Sequence, residues 1–474
     1  MSTDNMSVYR RIDWITFSVC LGLMVVGLLI GIRMGVDDPD INLGGMTGFF
    51  STPAGKQTIW VIIAALLFSF IMLIDSRVWQ ALAYPIYWFS ITLLIAVLLF
   101  GATIKGAKSW FTFAGFSFQP SEIAKFGTCL AVAGYLSHYS VNLRIVRHQL
   151  ALLGFLALPM GLILLQPDAG SALVFTSFLV AFYREGLSRN LYLVGFFSLG
   201  MLLLGFVNDI PFVAFLLELS AIGLMGYHLN GKGRGLWTGI FMIAGLIAAY
   251  NFLDWMRPVN ILIAGGLCLL GLMAWAREQK KMRLNYLYAI GIVYGLTVAF
   301  AANYFFNHML KPHQQDRVMV WLKPSDAPKD AKYNLEQSKL AISAGGFWGK
   351  GIFNGNFTDL NYVPEQATDF IFCTIGEEQG FMGSLSLIGL YLLLLYQLTR
   401  IAERQRTHFA RIYAYGVAGI FFIHFLINIG MTMGLMPVIG IPLPFISKGG
   451  SSLLGFTLLV AVLIKMDSAR YRPS

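Results

Sequence analysis

Apolar residues in this chain come in long runs, and polar residues collect in the intervals between them. A helix needs roughly 20 apolar residues to cross a bilayer. Fourteen runs approach that length, although some are short, so we predict about fourteen transmembrane helices with both termini on one side. The predicted spans are 14–32, 58–74, 80–100, 122–139, 149–165, 170–184, 190–207, 211–227, 236–253, 259–275, 285–305, 379–398, 411–434 and 445–465.

One polar interval, residues 306–378, is far longer than the others. It mixes acidic and basic residues with glycines and lies between two runs of membrane-spanning length. Connections this long without structure of their own are uncommon and are more often functional than not. We therefore predict a large loop on one membrane face that carries the active site of an intramembrane enzyme.

The composition supports an all-α polytopic membrane protein. Hydrophobic residues make up 57% of the 474 residues and charged residues 12%, against about 25% charged in a typical soluble domain. The net charge of +10 is interpreted as basic residues collected in cytoplasmic loops rather than as a nucleic-acid surface. All four cysteines lie in apolar runs without CxxC spacing, which favours buried thiols over a disulfide or a metal site.

The distribution of Lys and Arg predicts the orientation in the membrane. One set of predicted loops holds 20 of these residues, and the opposite set holds 7 when 306–378 is left out. Basic residues concentrate on the cytoplasmic side, so we predict cytoplasmic termini and an outer location for 306–378. The first run, 14–32, is too long for a signal peptide and is interpreted as a retained span. No nucleotide-binding motif follows a predicted strand.

Two groups of polar residues lie at or near membrane depth. Glu122 and Lys125 are three residues apart and share a helix face, which fits either a functional site or a structural ion pair. Asp168 follows the helix-breaking Pro167. It is expected to face a cavity and also to cap the following helix, two roles that are compatible.

The C-terminal stretch predicts an irregular segment. Pro437, Pro442 and Pro444, with several glycines, forbid a continuous helix and indicate a re-entrant or unwound outer loop. His424 and Asn428 are four residues apart on the preceding helix and are expected to face the same way. In the long polar interval, Glu377 and Glu378 are interpreted as the start of a helix, where acidic side chains are favoured.

Four sequence blocks resemble one family, in that family's order. They are GAKSWFTFAGFSFQPSEIAK, LLQPDAGSAL, the pair YNLEQSKLAISAGGFWGKG and VPEQATDFIFCTIGEE, and GLMPVIGIPLPFISKGGSS. The chain resembles the SEDS glycosyltransferases, the FtsW/RodA/SpoVE family, and is most similar to its RodA branch. The resemblance implies one integral membrane domain over 1–474. Within it, 1–189 and 286–474 would form a ten-helix core, 190–285 would add about four inserted spans, and 306–378 would be the extracytoplasmic catalytic loop.

The resemblance implies polymerisation of lipid II into peptidoglycan glycan strands during cell elongation and cell-shape maintenance. The chain would lie in the bacterial inner membrane, with undecaprenyl pyrophosphate as leaving group. Expected partners are a class B penicillin-binding protein (a transpeptidase) and elongation-complex membrane proteins, with no nucleic acid. No cofactor is identified, although a divalent cation such as Mg²⁺ is a candidate. Two alternatives stay open: a flippase or transporter of lipid-linked precursors, and a non-catalytic scaffold of the cell-wall synthesis complex.

The resemblance also gives candidate site residues. The family's catalytic Asp precedes a Pro, a position held here by Ala327 before Pro328, so the nearby Asp326 is the first candidate base and Asp330 the second. Lysines are candidates to meet the departing pyrophosphate. The candidate substrate-binding residues are Lys108, Trp110, Gln119, Glu122, Lys125, Asp168, Gln337, Ser338, Lys339, Glu365, Asp369, Lys448 and Ser451.

Three substitutions depart from the family's usual pattern. Ser109 stands where the family has Arg, Ala367 where it has His, and Lys448 where it has Tyr. These departures are the reason why the scaffold alternative stays open.

Overall fold

The structure is a computed structural model that describes residues 12–36, 52–104, 106–113, 116–230, 258–278, 282–352, 354–360 and 362–470. Its helices are α1 Trp14–Val36, α2 Pro53–Leu73, α3 Ser76–Ala81, α4 Ala83–Phe100, α5 Pro120–Leu136, α6 Val146–Leu165, α7 Ala169–Val174, α8 Phe178–Arg184, α9 Arg189–Val207, α10 Ile210–Asn230, α11 Pro258–Glu278, α12 Met282–His308, α13 Pro312–Leu322, α14 Lys329–Ala344, α15 Asn356–Asp359, α16 Ile371–Arg404, α17 His408–Thr432 and α18 Gly450–Ala469.

The long apolar runs are helical wherever the structure describes them. Thirteen of the fourteen predicted spans coincide with helices, and the span at 236–253 lies outside the described residues. Within the described ranges, nine helices are long and apolar enough to cross a membrane, and Ala169–Arg184 and Ile210–Met225 are shorter apolar segments. A mostly helical, multi-pass membrane protein is therefore confirmed, while a count of about fourteen spans is not.

A small antiparallel sheet departs from a purely helical architecture. Its strands are β1 Ala102–Ile104, β2 Ala107–Phe113 and β3 Phe116–Phe118, in the order β1-β2-β3. Trp110 is the partner of Ala102 across β1 and β2. The stretch AKSWFTF is rich in the aromatic and β-branched residues that favour strands, so this part of the all-α prediction is wrong.

Two compact units make up the chain. One combines Met1–Ser188 with Lys329–Ser474, and the other is Arg189–Pro328. The second unit starts one residue before the predicted insert 190–285 but continues well beyond residue 285. In it α9 packs against α12 and α10 against α11. That residues 190–285 are an insertion stays a prediction.

Helices α17 and α18 form the centre of the first unit. About four fifths of their apolar stretches are buried, 78% in α17 and 83% in α18. Close packing requires glycine at two positions of α17. A Cβ at Gly416 would come within 2.6 Å of Cys129 Sγ, and one at Gly419 within 2.8 Å of the Ser177 carbonyl oxygen. The glycines therefore let α5 and the turn before α8 approach α17 closely.

Ion pairs join several helix ends on one side of the first unit. Arg404 at the end of α16 lies 2.6 Å from Asp467 in α18 and 3.3 Å from Asp13, just before α1. Arg411 in the first turn of α17 lies 3.0 Å from Glu185, which follows α8. These residues all belong to the set of loops predicted to be cytoplasmic, and the structure brings them together at one end of the bundle.

The interval 306–378 is largely helical rather than an open loop. It contains the end of α12, all of α13, α14 and α15, and the first turns of α16. The sequence suggested that Glu377 and Glu378 start a helix. Helix α16 begins instead at Ile371, so both residues lie in its second turn. The interval also crosses the boundary between the two units at Pro328.

Candidate active site

A polar cavity of about 330 Å³ lies at the end of the first unit opposite the Arg404 ion pairs. Its walls come from α1, α2, the segment before α16 and the irregular segment before α18. Residues 433–449 form no regular helix, as the prolines and glycines predicted. The lining residues are Gly27, Gly31, Gln57, Val363, Pro364, Glu365, Gln366, Ala367, Ile371, Ile446 and Lys448.

Two candidate residues, Glu365 and Lys448, line this cavity together. The backbone N–H of Lys448 donates to the Ala367 carbonyl at 2.9 Å, which joins the two cavity-lining segments. Partial desolvation and the charge of Lys56 lower the pKa of Lys448, and the Glu365 carboxylate opposes that shift. Lys448 thus lines a cavity with a second cation, Lys56, near it, which is a setting suited to an anion.

A hydrogen-bonded cluster forms around Asp168, which caps α7 by accepting from the Ser171 backbone N–H at 3.0 Å. The Gln119 Nε2 donates to Asp168 Oδ2 at 2.8 Å, and so does the Ser171 hydroxyl. The capping role expected for Asp168 is therefore present, and the broken helix at Pro167 brings Gln119 and Asp168 together. Both side chains are half-buried.

Glu122 and Lys125 form a buried ion pair. Lys125 Nζ lies 2.9 Å from the Glu122 carboxylate, and the two side chains are 1% and 3% exposed, respectively. The same Nζ lies 3.0 Å from His424 Nε2, while His424 Nδ1 lies 2.9 Å from the Pro442 carbonyl oxygen. A carbonyl only accepts, so Nδ1 carries the proton and Nε2 accepts from the ammonium. The contacts favour a structural ion pair that holds the irregular segment, and the substrate role of the pair stays a prediction.

Asn428 holds the same irregular segment one helical turn further along α17. Its Nδ2 donates to the carbonyls of Ile441 at 2.7 Å and Asp369 at 2.9 Å. His424 and Asn428 therefore face the same way, as their spacing predicted. The Asp369 carboxylate lies against Gly440, where a Cβ would come within 3.0 Å of its Oδ2. Asp369 thus sits where the segment before α16 meets the segment before α18.

Sequence reasoning missed a fixed carboxylate, Glu377, that organises the polar segment before α16. Glu377 Oε1 accepts from Lys350 Nζ at 2.8 Å and from the Phe357 N–H at 2.9 Å. Its Oε2 accepts from the N–H and the hydroxyl of Thr358, at 3.0 and 2.9 Å. The side chain is fully buried, so Glu377 fastens the segment 350–358 to α16.

The neighbouring Glu378 fastens α16 to α1. Its Oε1 accepts from Arg33 Nε at 2.9 Å, and both side chains are buried. The backbone N–H of Gly351 donates to the Glu378 carbonyl, which adds a second link at the same point. The signal available in the sequence was the adjacent pair of acids at the edge of an apolar run. Arg33 lies 345 residues away from Glu378, so no local pattern in the sequence pairs the two.

The remaining candidates of the first unit lie apart from the cavity lining. Ser338 is buried and its hydroxyl donates to the Thr432 carbonyl at 3.0 Å, which is a packing role. Lys108 Nζ donates to the Leu99 carbonyl at 3.0 Å. Ser451 is buried in the first turn of α18. Trp110 and Gln337 are half-buried, and Lys339 is exposed with its side-chain end against Gly434.

The two candidate bases lie in different units, Asp326 in Arg189–Pro328 and Asp330 in the unit that starts again at Lys329. Both are exposed. Asp326 follows α13, its N–H donates to the Lys323 carbonyl, and its Oδ1 accepts from the Ser325 hydroxyl at 2.8 Å. Asp330 lies in the first turn of α14. Their catalytic role stays a prediction.

The departures from the family pattern have distinct surroundings. Ser109 is buried, and its hydroxyl finds no hydrogen-bond partner among the described residues. Ala367 and Lys448, by contrast, are joined by a backbone hydrogen bond at the cavity. The backbone of Lys448 is therefore bonded to the residue that stands where the family has a histidine.

Comparison with known proteins gives relatives over nearly the whole chain. The peptidoglycan glycosyltransferase RodA of Treponema pallidum is 29% identical over 462 residues, covering 96% of this chain and 97% of the relative. The peptidoglycan glycosyltransferase MrdB of Escherichia coli strain K12 is 31% identical over 393 residues, covering 82% of this chain and 80% of the relative.

Solved structures share the fold. A chain from a peptidoglycan synthase complex that coordinates polymerization and crosslinking has a TM-score of 0.60 at 24% identity, with 98% of this chain and 99% of that chain covered. The rod shape determining protein RodA of Thermus thermophilus has a TM-score of 0.55 at 22% identity, with 98% of each chain covered.

The family model for the cell cycle proteins FtsW, RodA and SpoVE matches residues 13–217 and 242–472. Only residues 218–241 fall in the gap between the two matched parts, so the match includes much of the predicted insert 190–285. The match extends over far more than half of the chain and includes all four sequence blocks and the cavity. The chain therefore belongs to the FtsW/RodA/SpoVE family.

Proposed function

We propose that the chain is a peptidoglycan glycosyltransferase that polymerises lipid II into glycan strands at the outer face of the bacterial inner membrane. The curated relatives are named peptidoglycan glycosyltransferases, and two of them are RodA and MrdB. The observation that carries the proposal is the polar cavity, which combines Lys448 and Glu365 at one end of the first unit. The proposed orientation puts this end outside. We assign the enzyme to cell elongation and cell-shape maintenance because its blocks resemble the RodA branch.

The reaction joins a sugar 4-hydroxyl to the anomeric carbon of a second lipid-linked sugar. The new glycosidic bond forms as the bond to the undecaprenyl pyrophosphate breaks, and the hydroxyl proton passes to a general base. One carboxylate suffices for in-line inverting attack, because a pyrophosphate leaves without being protonated. Asp326 is the proposed base, and Asp330 is the second candidate.

Cationic groups stabilise the negative charge that develops on the departing pyrophosphate. Lys448 is the strongest candidate, since it lines the cavity. Lys125 is less suited because its ammonium already pairs with Glu122 and His424. Among the described residues, no group of three or more His, Cys, Asp and Glu side chains could hold a metal ion. A divalent cation such as Mg²⁺ stays a candidate that would share the neutralisation of the pyrophosphate with the lysines.

A class B penicillin-binding protein is the proposed partner, together with membrane proteins of the elongation complex. Support comes from the shared fold with a chain of a complex that coordinates polymerization and crosslinking. A transpeptidase bound to this chain at the outer face would crosslink each glycan strand before the strand is released.

The proposed orientation has both termini in the cytoplasm, and it predicts which positions an impermeant thiol reagent reaches. A cysteine at Asn356, in α15 of the polar segment, should react from outside in intact cells lacking an outer membrane. The background should be low because Cys20, Cys129 and Cys373 are buried, and Cys268 is removed as Cys268→Ser. A cysteine at Arg400, at the opposite end of α16, is the matched control and should react only after permeabilisation. The reverse pattern would overturn the orientation.

Purified protein in liposomes with labelled lipid II tests the proposed activity. Formation of glycan polymer is the expected result. Transbilayer movement of lipid II without polymer would instead indicate a flippase. Neither polymer nor movement, with a folded protein that still binds its transpeptidase, would indicate a scaffold, the alternative that Ser109 and Ala367 keep open.

A further inference from the structure

An exposed group of aromatic rings lies where the turn after α14 meets α16. The rings of Phe347 and Phe381 stack with their centroids 5.7 Å apart, and Trp348 packs edge-on against Phe347 at 5.1 Å. Trp348 is 76% exposed, and each Phe is more than half exposed. We call these three side chains the aromatic cluster. They lie outside the lining of the polar cavity, so the proposed reaction gives them no role.

The cluster is built on a turn, residues 345–351, that fills a break in α16. We call it the glycine turn. The break is at Gly380, whose φ of 63° lies in the left-handed region. The two residues after the break donate their N–H groups to carbonyls of the turn, at 2.9 and 3.2 Å, and Lys350 and Gly351 of the turn donate theirs to α16 carbonyls before the break, at 3.1 and 3.0 Å. In a continuous helix these α16 donors and acceptors would bond to one another.

Close backbone contacts hold the glycine turn in the break. A Cβ at Gly349 would collide with the Glu378 carbonyl, and one at Gly380 with the Gly349 nitrogen. The four backbone hydrogen bonds satisfy groups that the break would otherwise leave open, which is a strict requirement near lipid. The position of Trp348 is therefore set by a paired backbone.

The exposed side of α16 runs from the cluster across the membrane. Phe381, Leu385, Leu392 and Tyr396 recur at steps of four and seven residues, which keeps them on one helix face, and all four are at least half exposed. Helix α16 is apolar and long enough to span a membrane, so this face fits lipid chains. From Phe381 to Arg400, the next charged residue, the helix rises about 28 Å. The hydrocarbon core is about 30 Å thick, so Phe381 lies at its boundary.

Two other features put the cluster at the same depth. Glu378, close to Phe381 on α16, pairs with Arg33, the last residue of a candidate span on α1. Irregular backbone that faces lipid is not tolerated inside the hydrocarbon region, so the glycine turn lies at its edge. The aromatic cluster therefore stands where hydrocarbon gives way to headgroups.

We propose that the aromatic cluster binds the boundary between phospholipid headgroups and acyl chains and thereby holds the glycine turn in the break of α16. A Trp ring has an apolar body and a polar N–H, which suits this boundary. Release of the turn would draw Phe347 and Trp348 away from lipid, so lipid contact favours the inserted turn. Helix α14 ends at Ala344, directly before the turn, and is held to the bundle with it. This role does not depend on the proposed reaction.

Depth-dependent quenching in phospholipid vesicles tests the lipid contact. Bimane is attached at Trp348→Cys in a Cys268→Ser background, because the other three cysteines are buried. It should be quenched most by phosphatidylglycerol with a nitroxide near the headgroup, and little by aqueous iodide. A label at Leu392→Cys, about 17 Å further along α16, should prefer a nitroxide near the chain end. A label at Asn356→Cys, in α15, should be quenched by iodide alone.

Amide hydrogen exchange in the same vesicles tests whether lipid contact holds the turn. Trp348→Ser should raise the exchange rates of the four bridging amides about tenfold, because it removes part of the burial of an aromatic side chain. Trp348→Tyr keeps an aromatic ring suited to the boundary and should exchange as the wild type does. Tyr333→Ser, at an exposed aromatic residue of α14 outside the cluster, is the matched control and should leave these amides unchanged.

Two results would overturn the inference. The first is quenching of the Trp348 label by iodide and by neither nitroxide, and loss of that iodide quenching when the transpeptidase is added would identify a protein-docking surface instead. The second is equal exchange of the four amides in Trp348→Ser and the wild type. Absence of glycan polymer would contradict only the proposed function, because both measurements are made without lipid II.

Discussion

Asp326→Asn is expected to lower lipid II polymerisation by about 100- to 10,000-fold, the usual contribution of a positioned general base. The amide keeps the shape of the side chain but cannot take the hydroxyl proton of the attacking sugar. Expression, membrane insertion and binding of the transpeptidase should be unchanged, because Asp326 is exposed and lies in a turn. The measurement is the initial rate of polymer formation by purified protein with labelled lipid II.

The local structure favours Asp326 over Asp330. Its Oδ1 accepts from the Ser325 hydroxyl, and its N–H is bonded to Lys323, so both the backbone and the carboxylate are oriented. Pro324 and Pro328 stiffen the turn on either side. Asp330 lies in the first turn of α14, where a carboxylate has the ordinary role of stabilising the helix N-terminus.

Asp330→Asn is therefore the matched control and should cost much less activity. Loss of activity in Asp330→Asn with near-normal activity in Asp326→Asn would reverse the assignment. Normal rates in both variants would remove this segment from the chemistry.

Glu377→Gln is expected to destabilise the protein by about 1–3 kcal/mol, the usual cost of leaving a buried hydrogen-bonding group without its partner. Glu377 is fully buried and accepts four hydrogen bonds, three of them from Phe357 and Thr358 and the fourth from Lys350. A glutamine amide has one acceptor oxygen and would turn its NH₂ group towards a donor. Lys350 would lose the opposite charge of its partner.

Thermal and denaturant unfolding in detergent measure this effect, and proteolysis of the segment 350–358 locates it. Glu336→Gln, an exposed change of the same kind in α14, should alter the free energy of unfolding by no more than about 0.5 kcal/mol. Equal stability of the two variants would show that Glu377 does not fasten the segment. Increased cleavage at residues 350–358 in Glu377→Gln alone is the expected local signature.

The helices were predictable because each apolar run has the length of a span. The interruptions between helices were also predictable, because Pro167 and the prolines of the segment 433–449 cannot continue a helix. The capping role of Asp168 and the common face of His424 and Asn428 followed from local spacing alone. In each case the deciding interaction is within a few residues of the signal.

The features that were missed depend on contacts far apart in sequence. Glu378 pairs with Arg33, 345 residues away, and no local pattern specifies such a partner. Glu377 was interpreted as the start of a helix. Its contacts could not be predicted because its hydrogen-bond donors lie in a segment that folds back onto α16. The helices within 306–378 were missed because their apolar faces are weak, as the polar sequence of α14 illustrates.

Helix α1 is fastened to α16 at both of its ends, by Asp13 to Arg404 and by Arg33 to Glu378. Helix α2 is tied to α18 in the same manner, because Lys465 Nζ donates to the Met72 carbonyl and the ring of Trp60 fills the space beside Gly450. The polar cavity, which both helices line, thus has two braced walls. A channel with braced walls keeps its cross-section and does not close around what enters it.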